Sequence, residues 1–243
     1  MSFVDRDLIR AAILALGITL GGLFAGAGLA RARASDRFVT VKGISEREVT
    51  ADVAIWPLRL VAADNDLAQG YGSLRRSAQR VRDFLVAQQI DTADIQTQDF
   101  AVTDAFANQY GGDRITSRYA IRQTIVVRSS NPERVLAASQ RINELVSAGV
   151  VLSSGGEWGN SGPTFVFTKL NDLKPPMIAE ATARAREAAQ QFARDADSEL
   201  GGIRRANQGV FEILPRDQAP GIFEGAQMRK TVRVVTTVEY LLK

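Results

Sequence analysis

At 243 residues, with 45% hydrophobic and 23% charged side chains, the chain has the composition of an ordinary globular protein rather than a disordered or fibrous one. Its 30 basic and 27 acidic residues leave a formal charge of +3 spread along the chain without a basic tail, so nucleic acid is not an expected partner. There is no cysteine and no histidine, which excludes disulfides and thiolate nucleophiles and removes the commonest general base and transition-metal ligand.

Residues 1–36 read as a targeting segment, ahead of a body over 37–243 large enough for a sizeable core. Ala11 to Ala30 carries no charge, and its 20 residues at about 1.5 Å each match the roughly 30 Å hydrocarbon core of a bilayer. A removable signal has a shorter apolar run of about 7–15 residues, so length favours a single-pass membrane anchor through residues 11–30. The alternative is a cut after Ala32-Arg33-Ala34, where Arg31 and Arg33 are poor company for a cleavage site. Arg6 and Arg10 precede the run and Arg31, Arg33 and Arg37 follow it, so charge alone does not set the orientation. Gly17 with Gly21, and Gly22 with Gly26, place small residues one turn apart, a spacing that lets helices approach closely and hints at self-association.

In the body, Phe38 to Ile44 and Glu48 to Ala62 read as strands. Pro57 in the second implies an edge or a bulge, because proline cannot donate to a ladder. Asn65 to Gln89 reads as a helix with Leu67, Tyr71, Leu74, Ala78, Val81 and Leu85 on one face. Strands follow near Asp94 to Phe106 and Ile115 to Arg128, joined by a turn at Gly111-Gly112. The second alternates, with Tyr119, Ile121, Ile125 and Val127 set against Arg114, Arg118, Arg122 and Arg128. That arginine face is a solvated sheet surface by default and a candidate for an anionic ligand or for acids of a neighbouring subunit. Asn131 as cap and Pro132 at the first position start a helix to about Ser147.

Strands at Val150 to Glu157 and Thr164 to Lys169 then flank a glycine-rich loop, Gly155 to Gly162, with Trp158 at its tip. A helix over Leu173 to Leu200 and strands near Ile203 to Leu214 and Met228 to Leu242 complete the chain. The pattern is ββ followed by three αββ units, an α+β fold of antiparallel sheets with helices packed on them. The stretch Pro215 to Gln227, carrying Ile222 and Phe223, is too long for a tight hairpin and is a candidate contact with a neighbour.

Three stretches resemble the SIMPL-domain proteins, which include bacterial periplasmic immunogenic proteins. "VTVKGISEREVTADVA" is similar to that family's opening strand pair, with Gly43 and Asp52 at the matching positions. "DIQTQDF" resembles its DIQT-containing strand, and "AREAAQQFARDADSELG" its alanine-rich helix. Ser45 stands where the family has a second glycine, Ala51 where it has proline, and Asp197 where a glycine usually precedes Leu-Gly. The resemblance covers about residues 38–242. It implies an exported α+β domain, periplasmic, often assembled into large ring-like or cage-like homo-oligomers and linked to envelope or oxidative stress; it carries over no catalytic residue.

The paired carboxylates Asp64 and Asp66, Asp91 and Asp94, and Asp195 and Asp197 could serve acid–base or metal chemistry. Each lies where a helix begins or ends, so capping is the simpler role. The Gly155 to Gly162 loop lacks the residues of a phosphate-binding fingerprint and reads as a surface hairpin. No cofactor motif, nucleophile–base pair or metal set is present. The expectation is a non-enzymatic, homo-oligomeric assembly protein, candidate contacts being Gly17, Gly21, Gly22, Gly26, Pro57, Trp158, Ile222 and Phe223, anchored in the bacterial inner membrane with its body in the periplasm. The alternative is a ligand carrier or an enzyme with an unrecognised site.

Overall fold

The computed structural model describes residues 3–34, 37–107, 117–153 and 162–243, with side chains of the first helix described over 13–28. The elements run α1 (Phe3–Ala34), β1 (Phe38–Thr50), β2 (Val53–Asp64), α2 (Leu67–Ala87), β3 (Ile95–Asp104), β4 (Tyr119–Ser129), α3 (Pro132–Gln140), α4 (Asn143–Ser147), β5 (Thr164–Val166), α5 (Leu170–Asp195), β6 (Leu200–Gln208), β7 (Glu212–Pro215) and β8 (Arg229–Leu242). One sheet has the order β1-β8-β6 with β7 also on β8, and the other the order β3-β4-β2-β5. The α+β class with antiparallel sheets and packed helices is what the sequence patterning predicts.

The αββ recurrence is only partly visible. Of the strand expected over Val150 to Glu157, residues 150–153 contribute a bridge, Leu60 to Leu152, and the rest lies outside the described residues. The single strand expected over Ile203 to Leu214 divides into β6 and β7 around Gly209. A Cβ there would lie 2.5 Å from the Val235 carbonyl oxygen, so the backbone approaches β8 more closely than any side chain permits. The helix expected to Ser147 breaks at Arg141 and Ile142 into α3 and α4.

Pro57 does not mark an edge. β2 is an interior strand, paired with β4 on one side (Pro57 opposite Val126) and with β5 on the other through residues 53–55. Two residues after Pro57, Arg59 accepts from the Ser153 amide at 2.9 Å, and the Val61 amide donates to Val151 O at 3.3 Å. By strand periodicity Pro57 turns its ring nitrogen to that same side, into the gap between this pairing and β5, where no ladder donor is required.

The chain forms two compact units, one from residues 1–46, 174–212 and 233–243, the other from 47–173 and 213–232. In the second, Trp56, Leu58 and Leu60 of β2 and Ile121, Ile125 and Val127 of β4 form a core with Leu74, Val81 and Leu85 of α2. The helix starts where the Asp66 carboxylate accepts from the amides of Ala68 and Gln69, replacing partners that the first turn lacks. Only the later part of its apolar face is covered: Leu67 and Tyr71 remain 44% and 45% exposed. In the first unit, Val41 of β1 and Val238 and Tyr240 of β8 pack on Ala185 and Ala189 of α5. Ala181, Ala185, Ala189 and Ala193, each four residues from the next, are buried along α5. This stripe lets β1 lie against the helix backbone: a Cβ on Gly43 would fall 1.8 Å from Ala181 O.

α1 is a single helix of 32 residues, about 48 Å long at the standard rise. Ile13, Leu14, Leu16, Ile18, Leu20, Leu23 and Phe24 are 46–77% exposed on it, and Gly17, Gly21, Gly22 and Gly26 face open space. Among the described residues no helix is long and apolar enough to cross a membrane.

Candidate functional site

The segment between β7 and β8 is long, yet polar contacts within its own unit hold it in place. The Asp217 amide donates to Gln227 Oε1 at 3.1 Å, and Gln227 Nε2 returns a bond to Asp217 O at 2.8 Å. Gly221, with φ of 80°, reverses the chain in a conformation that costs other residues strain. Lys230, fully buried on β8, donates from Nζ to Glu224 O at 2.8 Å and also to the Glu224 carboxylate. Gly225 then approaches Thr164 of β5, whose methyl would be 3.0 Å from a Cβ at that position. These contacts hold a short 3-10 turn, Glu224–Ala226, and leave the residues before it outside: Ile222 is 42% and Phe223 74% exposed. Phe223 is thus a large aromatic displayed on a tethered loop, where little ordering entropy remains to be lost on any contact.

Of the arginine face of β4, three members are described. Arg114 lies outside the described residues. Arg118 is committed to Asp104 through an ion pair of 3.1 Å and stacks over the rings of Phe106 and Tyr119 at 5.5 and 4.8 Å. The bond from Arg118 holds the Asp104 carboxyl below its ordinary range. Arg122 and Arg128 are exposed, on the side of β4 opposite the buried Ile121, Ile125 and Val127. Trp158 and most of its loop also lie outside the described residues.

Four of the six paired carboxylates accept local hydrogen bonds. Asp64 accepts from the Asp66 amide at 2.9 Å, Asp66 caps α2, Asp91 accepts from the Ala93 amide at 2.9 Å, and Asp195 accepts from Gln191 Nε2 at 2.7 Å. Asp197 adopts φ of 47° just beyond α5, a left-handed position that aspartate tolerates better than most residues. Among the described residues no group of three or more carboxylates is placed to hold a metal.

Asp52, in the turn between β1 and β2, accepts from Thr168 twice, from the amide at 2.7 Å and from the hydroxyl at 2.6 Å. It thereby fastens this turn to the segment entering α5. Partial burial alone raises its carboxyl pKa, but the Thr168 bonds, helped by the charge of Lys169, outweigh burial and hold it below the ordinary 3.8. A lowered native pKa means that the stabilisation is complete above the unfolded-state value and fades as pH falls through the folded one. Asp52→Asn is therefore expected to cost about 1–3 kcal/mol at pH 7, with the gap to wild type closing in melts taken below pH 4. A gap that persists unchanged at pH 3 would show that the carboxylate charge contributes nothing.

Gly43 and Asp52, two positions that carried the resemblance, thus have structural explanations in a close strand–helix approach and a doubly bonded turn. No curated protein matches the chain. Residues 39–240 match the family described as SIMPL, protein of unknown function (DUF541), and the chain belongs to that family.

Proposed function

We propose that this protein is a membrane-tethered, homo-oligomeric assembly protein of the bacterial envelope, with its body in the periplasm and no catalysis of its own. The observation that carries the reading is α1, where seven large apolar side chains are 46–77% exposed among the described residues. The uncharged stretch Ala11 to Ala30 extends beyond the described side chains at both ends and has the length of a bilayer span. Lipid is the covering that such a helix fits, and the open faces at Gly17, Gly21, Gly22 and Gly26 suit association of neighbouring anchors. Phe223 supplies a contact for the body. Copies confined to one plane meet at raised effective concentration, and head-to-tail contacts close into rings when the rotation allows. A part in envelope or oxidative stress follows from the family resemblance alone.

The test uses full-length protein extracted from membranes in mild detergent. Intact mass is expected to place the mature terminus at Met1 or Ser2, and light scattering at micromolar concentration to give a multiple of the 26.4 kDa chain. Phe223→Asp is expected to shift that distribution toward the monomer without lowering the melting temperature. A terminus at Ser35 would remove the tether, and a strictly monomeric full-length protein would remove the assembly.

A further inference from the structure

We propose that an open cleft between α2 and β4 of the β3-β4-β2-β5 sheet binds a small organic phosphate. It has a volume of about 550 Å³ and is lined by Gly72, Arg75, Arg76, Gln79 and Arg82 of α2, with Ala78 and with Gln123 of β4. This is within the usual range for small-molecule sites, about 300–1,000 Å³. The α2 residues recur at three- and four-residue spacing, so they form one stripe along the helix. On sequence alone such a stripe reads as a solvated face.

Gln123 of β4 closes the cleft against this stripe, and strand β3 is tied to the same helix beside it. Its pairing with β4 slips between Gln98 and Ala101, where Asp99 has φ of 54° and two residues, Asp99 and Phe100, stand opposite Gln123 alone. The bulge directs Phe100 against Tyr71, ring to ring at 5.9 Å and edge to face. Further along the helix, Arg82 Nη2 donates to Thr97 Oγ1 at 2.7 Å. The two contacts tie the helix to the edge strand at separate points, and Gly72, Arg75, Arg76 and Gln79 lie between them in the chain.

The electrostatics select an anion. Among the described residues none of Arg75, Arg76 and Arg82 forms an ion pair with a carboxylate. Arg82 is oriented by Thr97 and Arg76 by Ser73 Oγ at 2.9 Å, both neutral acceptors, so the guanidinium groups are held without being neutralised. Asp83 is bound to Gln79 Nε2 at 2.8 Å, and neither it nor Asp99 lines the cleft. Several guanidinium forks around one cavity match the multiple acceptor oxygens of a phosphate, which takes paired bonds from each. Gly72, whose added Cβ would meet only Arg76 Nη1 at 3.5 Å, keeps the wall low beside Tyr71. The Tyr71–Phe100 pair at that end offers a ring surface to the organic part of the ligand.

The experiment is calorimetric titration of the full-length protein in mild detergent at low salt, with pyrophosphate, phenyl phosphate and sub-micellar dihexanoyl phosphatidylglycerol. Saturable 1:1 binding of the first two is expected, phenyl phosphate binding more tightly per unit charge. The double variant Arg75→Gln/Arg76→Gln is expected to weaken both at least tenfold with an unchanged melting temperature. Arg122→Gln/Arg128→Gln, on the opposite face of the same sheet, is expected to stay within twofold of wild type. No saturation by millimolar ligand overturns the proposal, as does equal weakening by both double variants, which would indicate a general basic surface. Binding of the phospholipid alone, lost in Arg75→Gln/Arg76→Gln, would assign the surface to lipid headgroups and overturn the small-ligand assignment.

Discussion

Gly43→Ala is expected to destabilise the unit built from β1, β6, β8 and α5 more than any other single-methyl change in it. The added carbon would stand 1.8 Å from Ala181 O and 2.7 Å from Ala185 N, so the obstruction is helix backbone rather than a side chain that turns aside. Relief requires β1 to move off α5. That movement breaks the bond from Ser45 Oγ to Glu180 at 2.8 Å and the one from Arg184 Nη1 to Ile44 O at 3.0 Å. Overpacking usually costs about 1–3 kcal/mol, and with both bonds strained a loss of about 3 kcal/mol or more is expected, lowering the melting temperature by about 6–12 °C in a chain of this length. Hydrogen exchange should place the loss in residues 174–212, while amides of β2 and β4 keep their protection. Gly202→Ala on β6, where a Cβ meets nothing within 4 Å, is the control and should change stability by less than about 1 kcal/mol. A Gly43→Ala protein that melts with the Gly202→Ala protein would contradict the close approach.

The second large effect is an asymmetry between the two ends of one ion pair. Glu224→Ala leaves Lys230 buried with only a main-chain carbonyl for its ammonium group, and removing one partner of a buried pair costs about 3–5 kcal/mol. Since the Glu224 side chain is 38% exposed, the lower end, about 3 kcal/mol, is expected. Lys230→Met removes the buried charge instead and leaves a carboxylate that water reaches, so its cost is expected within about 1 kcal/mol of zero. The pair also positions the 3-10 turn that follows Phe223. Glu224→Ala should therefore loosen the loop, raising susceptibility to proteolysis near residue 222 and weakening self-association in parallel with Phe223→Asp. Equal destabilisation by the two variants would show that packing of the Lys230 stem, rather than its charge, holds the loop.

Features written in short-range pattern were legible from the amino acids alone. Alternation in β4 separates Ile121, Ile125 and Val127 from Arg122 and Arg128, and the structure buries the first set and exposes the second. Asn131 followed by Pro132 marks the start of α3, where Asn131 Oδ1 accepts from the Arg134 amide at 3.2 Å. Asp66 and Asp91 act as caps, each carboxylate accepting from amides two or three residues on. The likeness of the Gly43 and Asp52 stretch to a known family named positions whose purpose emerges only once α5 and Thr168 are placed beside them.

What local pattern does not contain is the identity of the partner across each face. Pro57 implied an edge or a bulge because it lacks a donor, but long-range pairing put a gap opposite it and kept β2 inside the sheet. Leu67 and Tyr71 share the apolar stripe of α2 with Leu74 and Val81, yet they stay exposed while those are buried. Lys230 sits in a strand of alternating valines, and only the fold of residues 216–227 over it makes a buried lysine tolerable. The arginines of α2 are the clearest case. Their spacing is that of any solvated helix face, and only the placement of Gln123 of β4 beside them makes it one wall of a cleft. Helix and strand periods are set by backbone geometry within a few residues and survive in the sequence. Cavities, uncovered faces and buried charges depend on contacts between segments far apart in the chain, so they came into being only with the tertiary structure.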